Sequence, residues 1–360
     1  MKEHTLIMGE LRPKIPLIQG GMGVGISLSG LSGAVAKAGG IGLISTAQIG
    51  FQKPEFSKNP IETNLRTIPE ELERARRIAP DGILGFNIMT ATRQYEAYVR
   101  AAVEAGADLI VSGAGLPVKL PELTAGSRTK IAPIVSSEKA AAVICKLWDR
   151  HYHTAPDLLI AEGPLAGGHL GFKREQLEPE EEEHKSIRQF EHGIGRIKEL
   201  AEDYGRRYGK KIPVVTAGGI YDHSDVRYHL EALGADGVQI ATRFVTTEEC
   251  DAPTAYKQAY LRAGEKDLVI TDSPVGMPGR AIQNDFLRKR QQGRKPVKNC
   301  FRCLEGCDPA RVPYCITEAL VHAARGEIEE ALLFCGAKAY RAEQIETVPG
   351  VVRELFPEFT

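Results

Sequence analysis

Residues 212–244, IPVVTAGGIYDHSDVRYHLEALGADGVQIATRF, place a helical pattern between two short apolar runs. Both runs are nearly continuous in apolar residues, which is typical of strands buried on both faces of a parallel sheet. The segment between them ends at Gly234, and a glycine in that place is typical of a helix C-cap. The stretch therefore predicts a strand–helix–strand unit.

The same unit recurs along the chain, and the number of repeats bounds the fold. The apolar runs are residues 15–21, 40–46, 82–89, 109–115, 130–136, 157–164, 212–219 and 236–244, and helical patterns lie between most of them. Eight strands, each followed by a helix-like segment, predict an α/β fold of the (β/α)8 TIM barrel type. A doubly wound open sheet is the alternative, because periodicity cannot show that a sheet closes.

We expect the chain to divide into a barrel and an appended segment. Residues 10–250 are predicted to form the barrel, and residues 251–360 a C-terminal helical extension packed on it. The extension begins with a helix-like stretch, 252–264, and ends in a long segment of helical periodicity, 315–356. Within the barrel, the acidic run at 173–189 predicts a solvated face or a mobile lid.

Composition and charge argue against several classes of protein. The chain has 360 residues, of which 42% are hydrophobic and 26% charged, as in ordinary globular proteins. A net charge of −1 gives no electrostatic reason to expect nucleic acid or an anionic membrane as a partner. No stretch approaches the roughly 20 apolar residues of a membrane span. The seven cysteines are odd in number and clustered late, so we expect a reducing, cytoplasmic environment.

Two strand ends late in the barrel carry the features of a phosphate site. The loops after the seventh and eighth strands of a barrel often hold a phosphate at the carboxyl end of the sheet. Gly218 and Gly219 end the seventh strand, where backbone N–H groups without a neighbouring Cβ can face phosphate oxygens. After the eighth strand, Thr242 offers a hydroxyl and Arg243 a charge. A ligand with a phosphate group is therefore expected here.

The end of the first strand, QGGMGVG at residues 19–25, suits the face of a flat ring. Its glycines and Met22 present peptide edges and a soft apolar side chain. It is a weak dinucleotide fingerprint, because the spacing is not G-x-G-x-x-G and no acidic residue follows about 20 positions on. Asn87, at the end of the third strand, offers a polar contact. A planar, phosphorylated ring cofactor in a barrel points to FMN.

Five motifs together resemble one family. They are PLIQGGM at the first strand, GFN at the third, EGPLAGGHLG at the sixth, TAGGI at the seventh and GADGVQIATRF at the eighth. In this order they are similar to the nitronate monooxygenases, formerly called 2-nitropropane dioxygenases, and to their close relatives, the FMN-dependent enoyl-ACP reductases of bacterial fatty-acid synthesis. The resemblance covers roughly residues 10–250 and implies an FMN-binding TIM barrel.

The resemblance also implies the cofactor contacts. The residues that it places against FMN and its phosphate are Gly21, Met22, Gly23, Asn87, Gly168, Gly218, Gly219, Gln239, Ala241 and Thr242. The first four would contact the ring, and the residues from Gly218 onward would surround the phosphate, with Gln239 nearby.

The histidine of AGGHLG has the catalytic position in this family, and here it is His169. It would stand over the flavin face, where an imidazole that titrates near neutrality can take a proton from an acidic C–H. Gly167, Gly168 and Gly171 would let the loop pass close to the ring and the substrate.

Two enzymatic functions follow from the resemblance. The first is an FMN-dependent oxidoreductase that oxidises alkyl nitronates with O2 to a carbonyl compound and nitrite. His169 would then deprotonate a neutral nitroalkane or hold the anionic nitro group. The alternative is an enoyl-ACP reductase, in which NAD(P)H reduces FMN and the enoyl thioester accepts the hydride. Only that alternative needs an acidic acyl carrier protein, for which the basic residues 285–298 are a candidate docking patch.

A third hypothesis is a protein that binds a flavin without turning over a substrate. The expected partner is otherwise a small-molecule substrate, and a homodimer is an open prediction. The family pattern also has a departure here. Many nitronate monooxygenases have a lysine or another polar group after the fifth strand, where this chain has Ser136 and Ser137. The departure leaves the FMN expectation intact and weakens assignment to one subclass.

Four cysteines lie within 16 residues, at Cys300, Cys303, Cys307 and Cys315. Their spacing, C-x2-C-x3-C-x7-C, matches no common metal motif closely, although four thiolates could bind zinc or an iron–sulfur cluster. Buried or redox-sensitive thiols are the other interpretation, so the metal content is left open. Cys145, Cys250 and Cys335 are expected to be small core residues.

Overall fold

The computed structural model describes residues 6–359 and contains a closed parallel barrel. Its strands are β1 (Leu17–Gln19), β2 (Ile41–Ser45), β3 (Ile83–Met89), β4 (Leu109–Gly113), β5 (Lys130–Val135), β6 (Leu159–Glu162), β8 (Val214–Ala217) and β9 (Gly237–Ile240). Each predicted apolar run contains one of them, and β1 pairs with both β2 and β9. This closure confirms the predicted TIM barrel and excludes the open sheet.

The barrel strands are buried on both faces, which explains why their sequences do not alternate with polar residues. In β4, Leu109 and Val111 belong to one apolar cluster, whereas Ile110 between them belongs to another. Successive side chains of a strand point to opposite faces, so one set packs within the barrel and the other beneath the helices. The apolar runs in the sequence are therefore explained by the burial of each strand on both faces.

Helices cover the outside of the barrel. They are α1 (Ser29–Lys37), α2 (Pro60–Ile78), α3 (Tyr95–Glu104), α4 (Leu120–Leu123), α5 (Glu138–Tyr152), α6 (Glu180–Tyr208), α7 (His223–Arg227) and α8 (Thr242–Val245). After α7 the chain continues as a π-helix, Tyr228–Ala232, and turns at Gly234, whose φ of +68° is in the left-handed region. The glycine thus ends this helical segment, as predicted.

The acidic stretch after β6 forms the start of α6. Glu180 and Glu181 are exposed and Glu182 is half-buried in its first turn, where negative charge is favoured by the helix dipole. This agrees with the predicted solvated face. Glu183 is different, because its carboxylate pairs with the guanidinium of Arg280 in the C-terminal extension.

The C-terminal extension contains four helices, α9 (Thr254–Arg262), α10 (Asp285–Gln292), α11 (Ile316–Ala324) and α12 (Val348–Leu355). Val351 and Leu355 of α12 are fully buried in one apolar cluster with Leu31 of α1, so the extension packs against the barrel helices. The helical periodicity of residues 315–356 is realised only at its two ends. Residues between α11 and α12 form only short 3-10 turns and irregular chain.

The extension also contains a β-hairpin that the helical prediction misses. Strands β10 (Leu268–Asp272) and β11 (Pro278–Ile282) are antiparallel, and β11 pairs in turn with β7 (Gly168–His169), a two-residue strand in the loop after β6. This small sheet fastens the histidine loop to the extension. Within residues 6–359, none of the helices combines the length and the hydropathy that a membrane span requires.

Candidate active site

A cavity of about 380 Å³ lies at the carboxyl ends of the barrel strands. In TIM barrels the active site is built at this end, from the loops that follow the strands. All the sequence-predicted site residues line it: Gly21, Met22, Gly23, Asn87, Gly168, His169, Gly218, Gly219, Gln239, Ala241 and Thr242. The structure thus brings together residues that are more than 200 positions apart, while their individual roles stay predictions.

At the end of β1, glycine allows the first and third strands to meet. A Cβ on Gly21 would lie 2.3 Å from the Cβ of Asn87, and the Asn87 amide donates a hydrogen bond to the Gly21 carbonyl at 3.1 Å. A Cβ on Gly23 would lie 2.5 Å from that of Ala47. These glycines are therefore required by packing between loops, whether or not a ligand also approaches them.

At the ends of β8 and β9, the cavity wall offers polar groups that lack protein partners. The side-chain oxygen Oε1 of Gln239 is buried and has no hydrogen-bond partner among the described residues. Gly218 and Gly219 have φ values of +97° and +76°, which L-residues rarely adopt. The Thr242 hydroxyl accepts the N–H of Gly336 at 2.9 Å, which leaves its own proton for another acceptor.

The expectation for Arg243 is wrong. Arg243 does not line the cavity; its guanidinium pairs with Glu346 and, at 2.6 Å, with Glu354, both in the C-terminal extension. Its charge therefore holds the extension to the barrel. The cation that does line the cavity is Lys338, whose ammonium lies 2.6 Å from Asp225.

His169 is held by the hairpin of the extension. Its Nε2 lies 2.7 Å from the Oγ of Ser273, in the turn between β10 and β11, and its ring meets the edge of Phe334 at a centroid distance of 4.9 Å. The Val275 N–H donates to the same Oγ at 3.3 Å, so the serine proton is free to point at Nε2. This arrangement favours the tautomer with its proton on Nδ1.

Burial lowers the pKa of the His169 imidazole to about 4, because the charged form loses its water. At neutral pH the imidazole is therefore uncharged. With Nε2 occupied by Ser273, Nδ1–H is the group available to a ligand in the cavity. A neutral imidazole of low basicity suits the donation of a hydrogen bond to an anion better than the removal of a proton.

The glycines beside His169 line the cavity, and two of them are also required by packing within the chain. A Cβ on Gly167 would lie 2.6 Å from the carbonyl carbon of Cys335, and one on Gly171 would lie 2.8 Å from the Cβ of Ser136. Both let the loop pass other parts of the chain. Only Gly168, with a φ of +72° and open space around the missing Cβ, faces the cavity freely.

Two charged residues near His169 are absent from the predicted site. Glu162 ends β6 on the cavity wall, and burial raises the pKa of its carboxyl to about 7. Arg280 is buried in β11 and donates to the carbonyls of Pro164 and Ala166 at 2.8 and 2.7 Å, which fixes the loop before His169. Glu162 could have been predicted as a site residue from the sequence, because it is a carboxylate at the carboxyl end of a buried barrel strand.

The sequence also holds a signal for the hairpin that carries Ser273 and Arg280. The run LVIT at 268–271 is rich in β-branched residues and is followed by SPVGMPG at 273–279, a cluster of turn formers. A strand, a turn and a second strand could therefore have been predicted from this part of the sequence.

The serines after β5 have separate positions. Ser136 lines the cavity, whereas the Ser137 side chain caps α5 by accepting the Ala140 N–H at 3.2 Å. Of the two serines, Ser136 is therefore the one that a ligand in the cavity could contact.

The basic stretch at 285–298 is partly neutralised by neighbouring acids. Arg288 pairs with Asp285 at 2.8 Å, and Lys295 pairs with Glu330 at 3.3 Å and with Glu318 at 3.5 Å. These contacts offset part of the positive charge that a docking patch for an acidic carrier protein would need.

A closed parallel barrel with a histidine and glycine-lined strand ends in one cavity defines the class of (β/α)8-barrel enzymes that act on small molecules. Within that class, the chain belongs to the nitronate monooxygenase family, because the family model described as nitronate monooxygenase matches residues 5–358. It is an oxidoreductase of the nitronate monooxygenase type, which confirms the resemblance seen in the sequence motifs.

Individual proteins of known name are similar over most of the chain. A probable nitronate monooxygenase of Staphylococcus saprophyticus is 29% identical, over 81% of this chain and 82% of its own length. FabK from Thermotoga maritima is 24% identical with a TM-score of 0.70, covering 96% of this chain and 93% of its own. The nitroalkane oxidase from Streptomyces ansochromogenes is 20% identical with a TM-score of 0.70, covering 96% of both chains. The two structures share the fold of this protein.

Proposed function

We propose that this protein is an FMN-dependent nitronate monooxygenase, which oxidises alkyl nitronates with O2 to a carbonyl compound and nitrite. The observation that carries the proposal is the neutral His169, held by Ser273 on the wall of the glycine-lined cavity. Its free Nδ1–H can donate to an anionic nitro group. A nitronate has already lost its C–H proton, so the weak basicity of this imidazole is no obstacle to its oxidation.

The cavity residues fit FMN. Gln239 offers a buried Oε1 without a partner, which suits a ring N–H, and Gly21, Met22, Gly23 and Asn87 would lie along the ring. When bound, FMN supplies the electron acceptor that the oxidation requires.

The other end of the cofactor would lie at β8 and β9. Gly218 and Gly219 offer backbone without side chains, Ala241 adds little bulk, and Thr242 has a hydroxyl proton free for a phosphate oxygen. Lys338 lies on the same wall, where its ammonium is paired with Asp225 at 2.6 Å. This compact set of donors suits a mononucleotide, and no dinucleotide fingerprint accompanies it.

The other cavity residues would define the surroundings of the substrate. Phe334 packs its edge against the imidazole of His169 and limits the rotation of the ring. Arg280 holds the loop of Pro164 and Ala166, and thereby the position of His169, which follows Ala166 by three residues in the paired strand β7. The chain's contribution is thus to orient the anion and to keep His169 in one tautomer.

The experiment uses the purified full-length protein. We expect a yellow protein that releases FMN, and no FAD, on heat denaturation. Supplied with a preformed alkyl nitronate, it should consume O2 and release nitrite, and anaerobic mixing with NADH or NADPH should leave the flavin oxidised. Rapid bleaching by either nucleotide, with reduction of an enoyl thioester, would instead support the enoyl-ACP reductase. Bound flavin without turnover of either substrate would support the third hypothesis, a protein that binds a flavin without catalysis.

We also infer a cytoplasmic location. The inference is supported by the state of the cysteines, because all seven are unpaired. Unpaired thiols in this number are typical of a reducing compartment.

A further inference from the structure

Four cysteines surround a second cavity, separate from the candidate active site. It has a volume of about 210 Å³, and the cysteines that line it are Cys300, Cys303, Cys307 and Cys315. Most of the remaining wall is apolar and comes from Val297, Phe301, Leu304, Val312 and Ile316. Four cysteines from one short segment thus line a single cavity, with Cys300 at its exposed edge.

The segment that carries these cysteines is firmly attached to the barrel. The Arg93 N–H donates to the Cys303 carbonyl at 3.0 Å, and the Glu305 N–H donates to the Ala91 carbonyl at 2.9 Å. The ring of Phe301 stacks on Phe56 at a centroid distance of 5.5 Å. The positions of the thiols are therefore set by the fold.

One backbone hydrogen-bond donor and two arginines lie beside the cysteines. The Arg302 N–H donates to the Cys300 Sγ at 3.4 Å. Cys315 is the N-cap of α11. The side chains of Arg93 and Arg302 also line the cavity. The two arginines bring positive charge to the cavity, which suits a group that four thiolates would bind.

The arrangement favours a cluster over a single ion. With Zn–S bonds of about 2.3 Å, the cysteines of a tetrahedral zinc site bring their sulfurs to about 3.8 Å from one another. Within residues 6–359, no group of three or more His, Cys, Asp or Glu side chains is placed to hold a single metal ion of any kind. An iron–sulfur cluster keeps its four cysteine sulfurs further apart, because its own iron and sulfide atoms fill the space between them.

We propose that Cys300, Cys303, Cys307 and Cys315 bind a [4Fe–4S] cluster in the 210 Å³ cavity. Insertion of a [4Fe–4S]2+ core forms four Fe–S(Cys) bonds and releases four protons from the thiols, with no change of oxidation state. The bound unit has a net charge of −2, which Arg93 and Arg302 offset. The proposal does not depend on the identity of the substrate.

The cluster site is next to the active-site cavity. Thr92 lines the active-site cavity, and the following residue, Arg93, lines the cysteine cavity. In the same way α11 begins after Cys315, and Leu320 of that helix lines the active-site cavity. Five residues of helix span about 7.5 Å. A cluster here would therefore be a close neighbour of the proposed flavin.

The test is the metal content of the full-length protein, purified without oxygen from iron-supplemented cells. We expect about four irons and four acid-labile sulfides per chain, and an EPR signal after reduction with dithionite. The Cys303→Ser variant should lose most of the iron and sulfide, while the control Cys145→Ala, which removes a buried thiol of α5, should keep them. Circular dichroism checks that both variants are folded.

Two results would overturn the proposal. One is stoichiometric zinc without sulfide in the wild-type protein. The other is a metal-free wild-type protein, prepared anaerobically and resistant to reconstitution with ferrous iron and sulfide, in which all seven thiols react with a thiol reagent after unfolding.

Discussion

His169 Nε2 and Ser273 Oγ lie 2.7 Å apart although 104 positions separate them in the chain. The contact joins the loop after β6 to the hairpin of the C-terminal extension. It occupies one nitrogen of the imidazole and leaves Nδ1 for a ligand. The extension is therefore part of the candidate active site, because its Ser273 determines which nitrogen of the His169 imidazole a ligand can contact.

Substitution of His169 separates hydrogen-bond donation from proton removal. With a preformed nitronate, His169→Leu should lower kcat/KM by about 10–150-fold, as for a hydrogen bond to a charged group. His169→Asn places an amide donor near the position of Nδ1 and should keep more of the activity. Steady-state nitrite release measures both variants.

If His169 instead acts as a general base, both variants should retain turnover of the preformed nitronate. Both should then lose turnover of the neutral nitroalkane by about 10²–10⁴-fold. Flavin content, measured by absorbance, is the control that the cavity is intact in each variant.

Ser273→Ala should lower kcat/KM for the nitronate by about 2–12-fold, the range for one neutral hydrogen bond. The cause is the loss of the contact that holds Nδ1–H toward the ligand. In the His169→Leu background the same substitution should have no further effect, because the two residues act as one unit. Equal losses in both backgrounds would contradict the positioning role, and the exposed Ser57→Ala serves as control.

Gly219→Asp tests the proposed phosphate site. The variant places a carboxylate where phosphate oxygens are proposed, its Cβ would lie 2.8 Å from Leu165, and the φ of +76° is unfavourable for aspartate. We expect little or no bound flavin and a loss of about 1–2 kcal/mol in the free energy of unfolding.

Gly209→Asp is the matched control for this substitution. Gly209 has a φ of +62°, and a Cβ there would meet no atom within 4 Å. It ends α6 and does not line the cavity. It should show a similar loss of stability by denaturant unfolding with normal flavin content. Equal flavin loss in the two variants would move the phosphate site elsewhere.

Glu162 should make nitronate binding depend on pH. Because burial raises the pKa of its carboxyl to about 7, the group is neutral below that pH and anionic above it. An anionic wall repels the nitronate, so KM should rise as the pH passes upward through about 7. The rise should be about fivefold, for a repulsion of about 1 kcal/mol. Initial rates with preformed nitronate between pH 6 and 8.5 measure this change in KM, since the range brackets the Glu162 pKa of about 7.

Glu162→Gln supplies the reference profile, since it cannot ionise and keeps the shape of the side chain. Its KM should stay flat over the same range. A profile that changes with pH equally in both proteins would assign the effect to another group.

Much of the barrel and of its cavity was readable from local sequence. Val, Ile and Leu runs that end in glycine mark strands buried on two sides, and the order of strand and helix repeats predicts the TIM barrel. Once that fold is assumed, the position of a residue at a strand's carboxyl end is enough to place it at the active-site face. Gly21, Asn87, His169 and Gly219 were predicted in this way, and they share one cavity.

Tertiary structure alone decided closure of the sheet, through pairing of β1 with β9, and the partners of the side chains. Arg243 was expected at a phosphate, but Glu346 and Glu354, more than 100 positions away, hold its guanidinium. Ser273 reaches His169 only because β11 pairs with β7. Local sequence records burial and backbone conformation, since these depend on near neighbours. The direction and tautomer of a functional side chain depend on distant groups, which only folding brings into contact.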